Sequence, residues 1–491
     1  MSPRGLSKTR RAMEEYFDLL EEPLPRRAVR AVLEEGKEPA EVMRDMSYWE
    51  VVEDAGPTLL RSMPYFWHYK DTGRAVADEL RALTRTRKAL VAYYSGAIKP
   101  VEGPRFVRRT LLYADVVVMK DPVSGTALVR HGYSPKVTAR LAVWKALEVL
   151  RLRDLCLGAG GRGPPPLVVL PPPAMLMDEE EFEAIVRLSD EHTLEASSKI
   201  FGRGFGSLEE LSEFVKSARG PDELARRARR TELLELPDKG LDAGAWLRKQ
   251  MEDVLKSAPK GAYRGPDDPE LLKEAYLTVV SGRFGAVNYQ LWSCGRLGAQ
   301  PSTDYEAHWR YLLWAYEHDQ ARLRPFLGFE AKVLRLIHRP EFRWLGKVPV
   351  KTLVKMREEG ELEGLRAELA EILSTVSFVP PDQLSEVAPV CAKRLERALD
   401  EHERELKEIT GRLRLSLAKV ALWGTISMAT PFYPPIAALM PVLYLILGRP
   451  CLKDVYELAS LVRRWRDIKR RPIGILLKPW RAHKAREKGL R

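Results

Sequence analysis

The chain has 491 residues, with 80 Lys and Arg against 68 Asp and Glu, a formal net charge of +12. With 45% apolar and 30% charged residues, it has material for several packed cores and falls outside the disordered, collagen-like and small disulfide-scaffold classes. Asn occurs once and Gln five times, and Arg outnumbers Lys 53 to 27, a composition that fits a hot environment or a GC-rich genome.

The N-terminal stretch runs through Thr9-Arg10-Arg11 into an acidic helical pattern with no apolar h-region, so no signal peptide is expected and the reading is cytoplasmic. Cys156, Cys294, Cys391 and Cys451 are too dispersed for a zinc ribbon or knuckle and read as small buried hydrophobes. Residues 8 to about 98 read as helices, including a short pair at Arg26–Glu35 and Pro39–Met46 and a longer one at Asp71–Tyr94. The second helix of the short pair carries Glu38, Glu41 and Asp45 against Arg44 alone. It is therefore read as a packing element rather than a DNA-reading helix, which should be basic.

Thr110–Met119 is the clearest strand, rich in β-branched and large apolar groups. Asp121-Pro122-Val123-Ser124-Gly125 reads as a turn, with Thr126–Arg130 pairing back as a hairpin. Ser134-Pro135 opens a helix as N-cap and first residue. Residues 157–173 hold four Gly and six Pro and read as a linker enclosing a short extended Leu167–Leu170. Helical patterns follow at about 178–200, 208–218, 221–234, 242–257 and 269–281. Ser207 with Glu210 has capping-box spacing, and Asp268-Pro269 is another N-cap pair. The organisation expected is an N-terminal region at 1–156, the linker at 157–173, a central helical domain at 174–345, a long helix and apolar hairpin at 346–462, and a basic tail at 463–491.

Neither the glycines of 158–163 nor those of 202–206 make a phosphate cradle. The first set lacks the Lys-Ser/Thr of a P-loop and the second has no preceding strand. No Ser/His/Asp set or Cys–His pair stands out, and no cofactor motif is present. The densest acid/His cluster is Asp304, Glu306 and His308 followed by Glu317, His318 and Asp319. On one helix His308 and His318 would lie about 80° out of phase and would not converge on an ion. Leu297-Gly298-Ala299-Gln300-Pro301-Ser302-Thr303-Asp304 resembles the late acidic motif of PIN-type nucleases, over about eight residues. That resemblance implies carboxylates holding divalent metal for phosphodiester hydrolysis. Asp115, on the predicted strand, and Asp304 are then the candidate catalytic residues, 189 positions apart.

In the last third, Ala392, Leu395, Leu399, His402, Leu406, Ile409 and Leu413 recur at alternating steps of three and four, a heptad seam. Its partner would be the helical run Lys351–Thr375 or a second copy of the chain, meeting Leu395, Leu399, Leu406, Ile409 and Leu413. Residues 420–448 contain no charge but include Pro431, Pro434, Pro435 and Pro441. They read as a buried helical hairpin, an interfacial membrane hairpin or one kinked span. Leu452, Val455, Leu458, Val462 and Trp465 then share a helical face opposite a basic one. Residues 463–491 hold 12 Lys/Arg and 2 Asp/Glu, a net of +10 that leaves the rest of the chain at +2. The candidate anionic-surface residues are Arg463, Arg464, Arg466, Lys469, Arg470, Arg471, Lys478, Trp480 and Arg481.

The fold expected is mainly α with a few short strands, in several domains. The function expected is a non-catalytic one, peripheral association with the inner face of a membrane or another anionic surface through the C-terminal region. The alternative is a nucleic-acid-acting protein, possessing the metal-dependent nuclease chemistry of Asp115 and Asp304.

Overall fold

The computed structural model describes residues 8–69, 71–87, 89–95, 103–128, 134–157, 165–236, 239–259, 261–323, 326–429, 452–469 and 471–487. The protein is mainly helical with a few short strands. Contacts divide the chain into two units, Met1–Glu359 with Thr375–Ala388, and Gly360–Ser374 with Pro389–Arg491.

The first unit is built on a parallel sheet of four strands: β1 (Val91–Tyr94), β2 (Val116–Lys120), β3 (Leu167–Leu170) and β4 (Gln300–Ser302), in the order β3-β2-β1-β4. Val91 pairs with Val116, Val117 with Leu167 and Ala92 with Gln300. Strands buried on both faces need continuous rather than alternating apolar runs. Val-Val-Val-Met in β2 and Leu-Val-Val-Leu in β3 meet that need, with all eight residues buried. Helices Lys8–Glu21, Thr72–Arg87 and Ser281–Leu297 pack on one another and on the strands. A second group, including Gly103–Leu111 and Phe329–Ile337, contacts β2 and β4. At the β3 edge the free amide of Val169 donates to Met13 Sδ at 3.3 Å, so a helix covers the exposed rim.

Several expectations shift. The strand at Thr110–Met119 is a helix end, Gly103–Leu111, followed by β2 at Val116–Lys120. The run Asp71–Tyr94 is a helix to Arg87 and then β1. Pro122–Leu128 is a helix instead of a turn and returning strand. Leu167–Leu170 is extended as expected, and it is a strand paired along β2. The shifts that concern strands share an origin: parallel pairing satisfies the backbone of short apolar segments far apart in sequence, which local periodicity does not register. The caps, being local, are where the sequence put them. Ser134 accepts from Val137 N at 3.4 Å, Ser207 from Glu210 N at 3.2 Å and Asp268 from Glu270 N at 2.9 Å. The rest of the unit is helical, including Glu179–Phe201, Ala243–Ser257 and Glu306–His318.

In the second unit, the 46-residue helix Leu384–Ala429 contributes residues 389–429, part of an element about 69 Å long. Around it are Leu362–Ile372, Leu452–Lys469, the turn Pro472–Leu476 and Leu477–Glu487. The uncharged stretch was read as an apolar hairpin; its helical backbone runs through Ala429, and residues 430–448 lie outside the described residues. No helix among the described residues is long and apolar enough to cross a membrane.

Candidate functional site

Two regions gather the chemistry. The first is the basic C-terminal end of the second unit. Leu395, Leu399, His402 and Ile409 of the seam are buried within that unit, and Leu406 and Leu413 are half-buried. The chain's own tail lies against this helix. Trp480 donates from Nε1 to Asp400 at 3.4 Å, and Lys484 donates to the same carboxylate at 2.7 Å. Arg481 pairs with Glu403 at 3.2 Å and Arg471 with Glu405 at 2.8 Å. Gly474 sits where an added Cβ would come within 3.0 Å of His402 Nε2, so a residue without a side chain lets the turn close on the seam. The amide of Ile473 donates to Glu368 at 2.8 Å, tying in helix Leu362–Ile372. Burial pushes the His402 imidazole below its usual pKa, with Arg471 adding to the effect.

These contacts sort the predicted surface residues. Trp480 is 3% exposed, so it is an internal anchor and not a projecting one. Arg471 and Arg481 are exposed but spend charge on Glu405 and Glu403. Arg463, Arg464, Arg466, Lys469 and Lys478 are exposed with no acidic partner among the described residues. Lys469 Nζ lies 4.5 Å from the Trp465 ring centroid. Arg470 lies outside the described residues. Among the described side chains of helix Leu452–Lys469, Leu461 and Ile468 are buried, with Leu458 and Trp465 half-buried. Val462 of the predicted face is half-buried as well, and the side chains of Leu452 and Val455 lie outside the described residues. This apolar stripe leaves Arg463, Arg464 and Arg466 outside.

The second region is the C-terminal edge of the parallel sheet. The strand order places its reversal between β1 and β4, where open parallel sheets receive ligands. Gln290 clamps this point: its Nε2 donates to the Tyr93 carbonyl at 2.9 Å and the Ser302 carbonyl at 3.1 Å, and its Oε1 meets His308 Nε2 at 2.8 Å. Tyr94 Oη donates to Asp304 at 3.1 Å. Lys120 ends β2, open to solvent yet crowded by protein; that crowding and then Arg283 lower its pKa. Lys145 is lowered to about 8, by burial and then by Lys120. Burial, then Arg283, Lys120 and Arg335, push His308 down to about 3, so it is a neutral ring. Arg283 is 8% exposed, with its guanidinium 4.6 Å from the Tyr305 ring centroid. Lys120 and Lys145 form no ion pair among the described residues. The residue types that sequence reading missed here are the cations, whose convergence depends on strand order.

The structure does not bring Asp115 and Asp304 together. Asp115 precedes β2, at the N-terminal edge of the sheet, where its side chain accepts from Leu90 N at 2.7 Å and its carbonyl from Arg357. Asp304 follows β4 at the C-terminal edge. In an all-parallel sheet those positions are at opposite ends, so one metal cannot bridge them. His308 and His318 also separate: His318 stacks on Trp314, with centroids 5.2 Å apart, and lies 5.3 Å from the His192 ring. Among the described residues no group of three or more His, Cys, Asp and Glu is arranged to hold a metal ion. No family model, curated protein or solved structure matches the chain.

Proposed function

We propose that the protein associates peripherally, in a non-catalytic role, with the anionic inner face of a membrane through its C-terminal unit. The observation that carries this reading is the exposed row Arg463, Arg464, Arg466 and Lys469 on a helix whose other side buries Leu461 and Ile468. The row follows the uncharged stretch 420–448 closely in sequence. Each such cation near an anionic leaflet contributes about 1 kcal/mol, and the four together about 4. In flotation with phosphatidylserine vesicles, the full chain rises with the lipid and is released by salt. The triple variant Arg463→Glu, Arg464→Glu, Arg466→Glu stays at the bottom. Failure of the parent chain to float, or equal flotation of the variant, rejects the reading.

The cations at the sheet edge favour a second reading, contact with the phosphates of a nucleic acid. Binding would then weaken steeply with salt, as counterion release requires. Lys120→Ala with Lys145→Ala would weaken the shift of a labelled RNA or DNA while leaving vesicle flotation intact. If both shifts are equal to the parent's, this second reading fails.

A further inference from the structure

The first unit holds a cavity of about 340 Å³ among helices Glu179–Phe201, Glu306–His318 and Phe329–Ile337. Its volume is in the range of small-molecule sites. Two features of its wall point to a ligand.

One is charge. Glu306 pairs with both Arg335 and Arg339, the latter at 2.8 Å. Arg335 is only 4% exposed, and its side chain also donates to the Thr303 carbonyl at 3.4 Å. One carboxylate therefore serves two guanidiniums in a half-buried setting. Arg339 Nε is buried with no hydrogen-bond partner among the described residues. A guanidinium presents a planar fork suited to carboxylate or phosphate, and an N–H shut away from water calls for an acceptor. Of the other acids lining the cavity, Glu232 is engaged by Arg230 at 2.6 Å, and Glu317 and Asp382 are exposed.

The other feature is aromatic. Trp309 and Trp314 line the same cavity and are 4% and 6% exposed. The Arg335 guanidinium lies 5.6 Å from the Trp309 ring centroid, and Lys199 lies 5.1 Å from that of Trp314. Flat apolar walls beside a cationic corner suit a ring system bearing one acidic group.

We propose that this cavity binds a small organic anion, with its carboxylate or phosphate on Arg335 and Arg339 and its flat body against Trp309 and Trp314. Such a ligand completes the hydrogen bonding of Arg339. The inference is separable from membrane or nucleic-acid contact, because the variants that test those readings alter none of these residues.

Calorimetric titration of the full chain with adenosine monophosphate, indole-3-carboxylate and inorganic phosphate tests it, with tryptophan fluorescence as a second signal. At least one of the two ring-bearing probes binds with one-to-one stoichiometry and changes the tryptophan emission. Competition by inorganic phosphate assigns a phosphate head, and binding of indole-3-carboxylate without that competition assigns a carboxylate head. Arg339→Ala weakens the bound probe about tenfold or more, as loss of a charge-assisted fork should. Arg339→Lys, which keeps the charge but not the fork, restores only part. Arg248→Ala, which does not line the cavity, changes nothing, and circular dichroism checks that each variant is folded. Absence of binding by both ring-bearing probes up to about 10 mM, or an unchanged affinity in a folded Arg339→Ala variant, overturns the proposal.

Discussion

Asp121 shows what a single buried side chain can organise. Its carboxylate accepts from Tyr16 Oη at 2.9 Å, Trp67 Nε1 at 3.0 Å, Val123 N at 2.9 Å and Ser124 N at 3.2 Å. It therefore caps the helix that follows β2 and holds two aromatic residues from separate N-terminal helices. Asp121→Ala leaves those donors buried without an acceptor and should lower the unfolding free energy by about 3–5 kcal/mol, the range for breaking a buried charged network. Urea denaturation reads this directly, and a loss below about 1 kcal/mol would show the network to be dispensable. His308 and His338 make a second prediction at this scale. Burial, followed by nearby arginines, holds the proton affinity of both below the ordinary histidine range. His338 is also stacked on Phe106, with centroids 3.9 Å apart, and its Nε2 is 3.0 Å from Thr110 Oγ1. Below about pH 6.5 the unfolded chain takes up protons that the folded rings refuse. Their contribution to stability is thus complete above that pH and is lost as pH falls, by up to about 1.4 kcal/mol per ring per pH unit. Between pH 7 and pH 5 the denaturation midpoint should fall, and less so in His308→Gln; a midpoint no less sensitive in that variant would contradict a neutral buried ring.

At the scale of elements, helix ends were the most legible features. Ser134, Ser207 and Asp268 each satisfy an amide within three residues, so neighbouring letters suffice to identify them. Gly298 is another local stop: it ends helix Ser281–Leu297 at φ +66°, a left-handed conformation natural to glycine, and turns the chain toward β4. The strands were half legible, since their apolar runs stood out but their partners did not. Tyr94 and Asp304, joined by a hydrogen bond, are 210 positions apart, and no period links them. The tail shows the same division. Its amphipathic helix was readable, but the burial of Trp480 depended on acidic residues of another helix. Trp480→Ala should accordingly destabilise the second unit by about 3–5 kcal/mol, whereas Arg464→Ala on the exposed face should change stability by less than about 0.5 kcal/mol. Thermal unfolding followed by circular dichroism separates the two, and similar small effects would refute the anchoring role of Trp480.

For the whole molecule, the net charge of +12 is informative only once it is placed. The amino-acid order alone assigned nearly all of the excess to residues 463–491, and it determined the helical class, the caps and the basic face near the end. These follow from local propensity and short-range periodicity. Tertiary structure decided which cations remain available and which are spent on Asp400, Glu403 and Glu405. It also decided that Asp115 and Asp304 stand at opposite ends of a sheet, and that Arg335 and Arg339 share Glu306 beside two tryptophans. Those outcomes depend on parallel strand order and helix packing between distant segments. The physical reason is that a charge acts through distance and desolvation, neither of which is a property of sequence position.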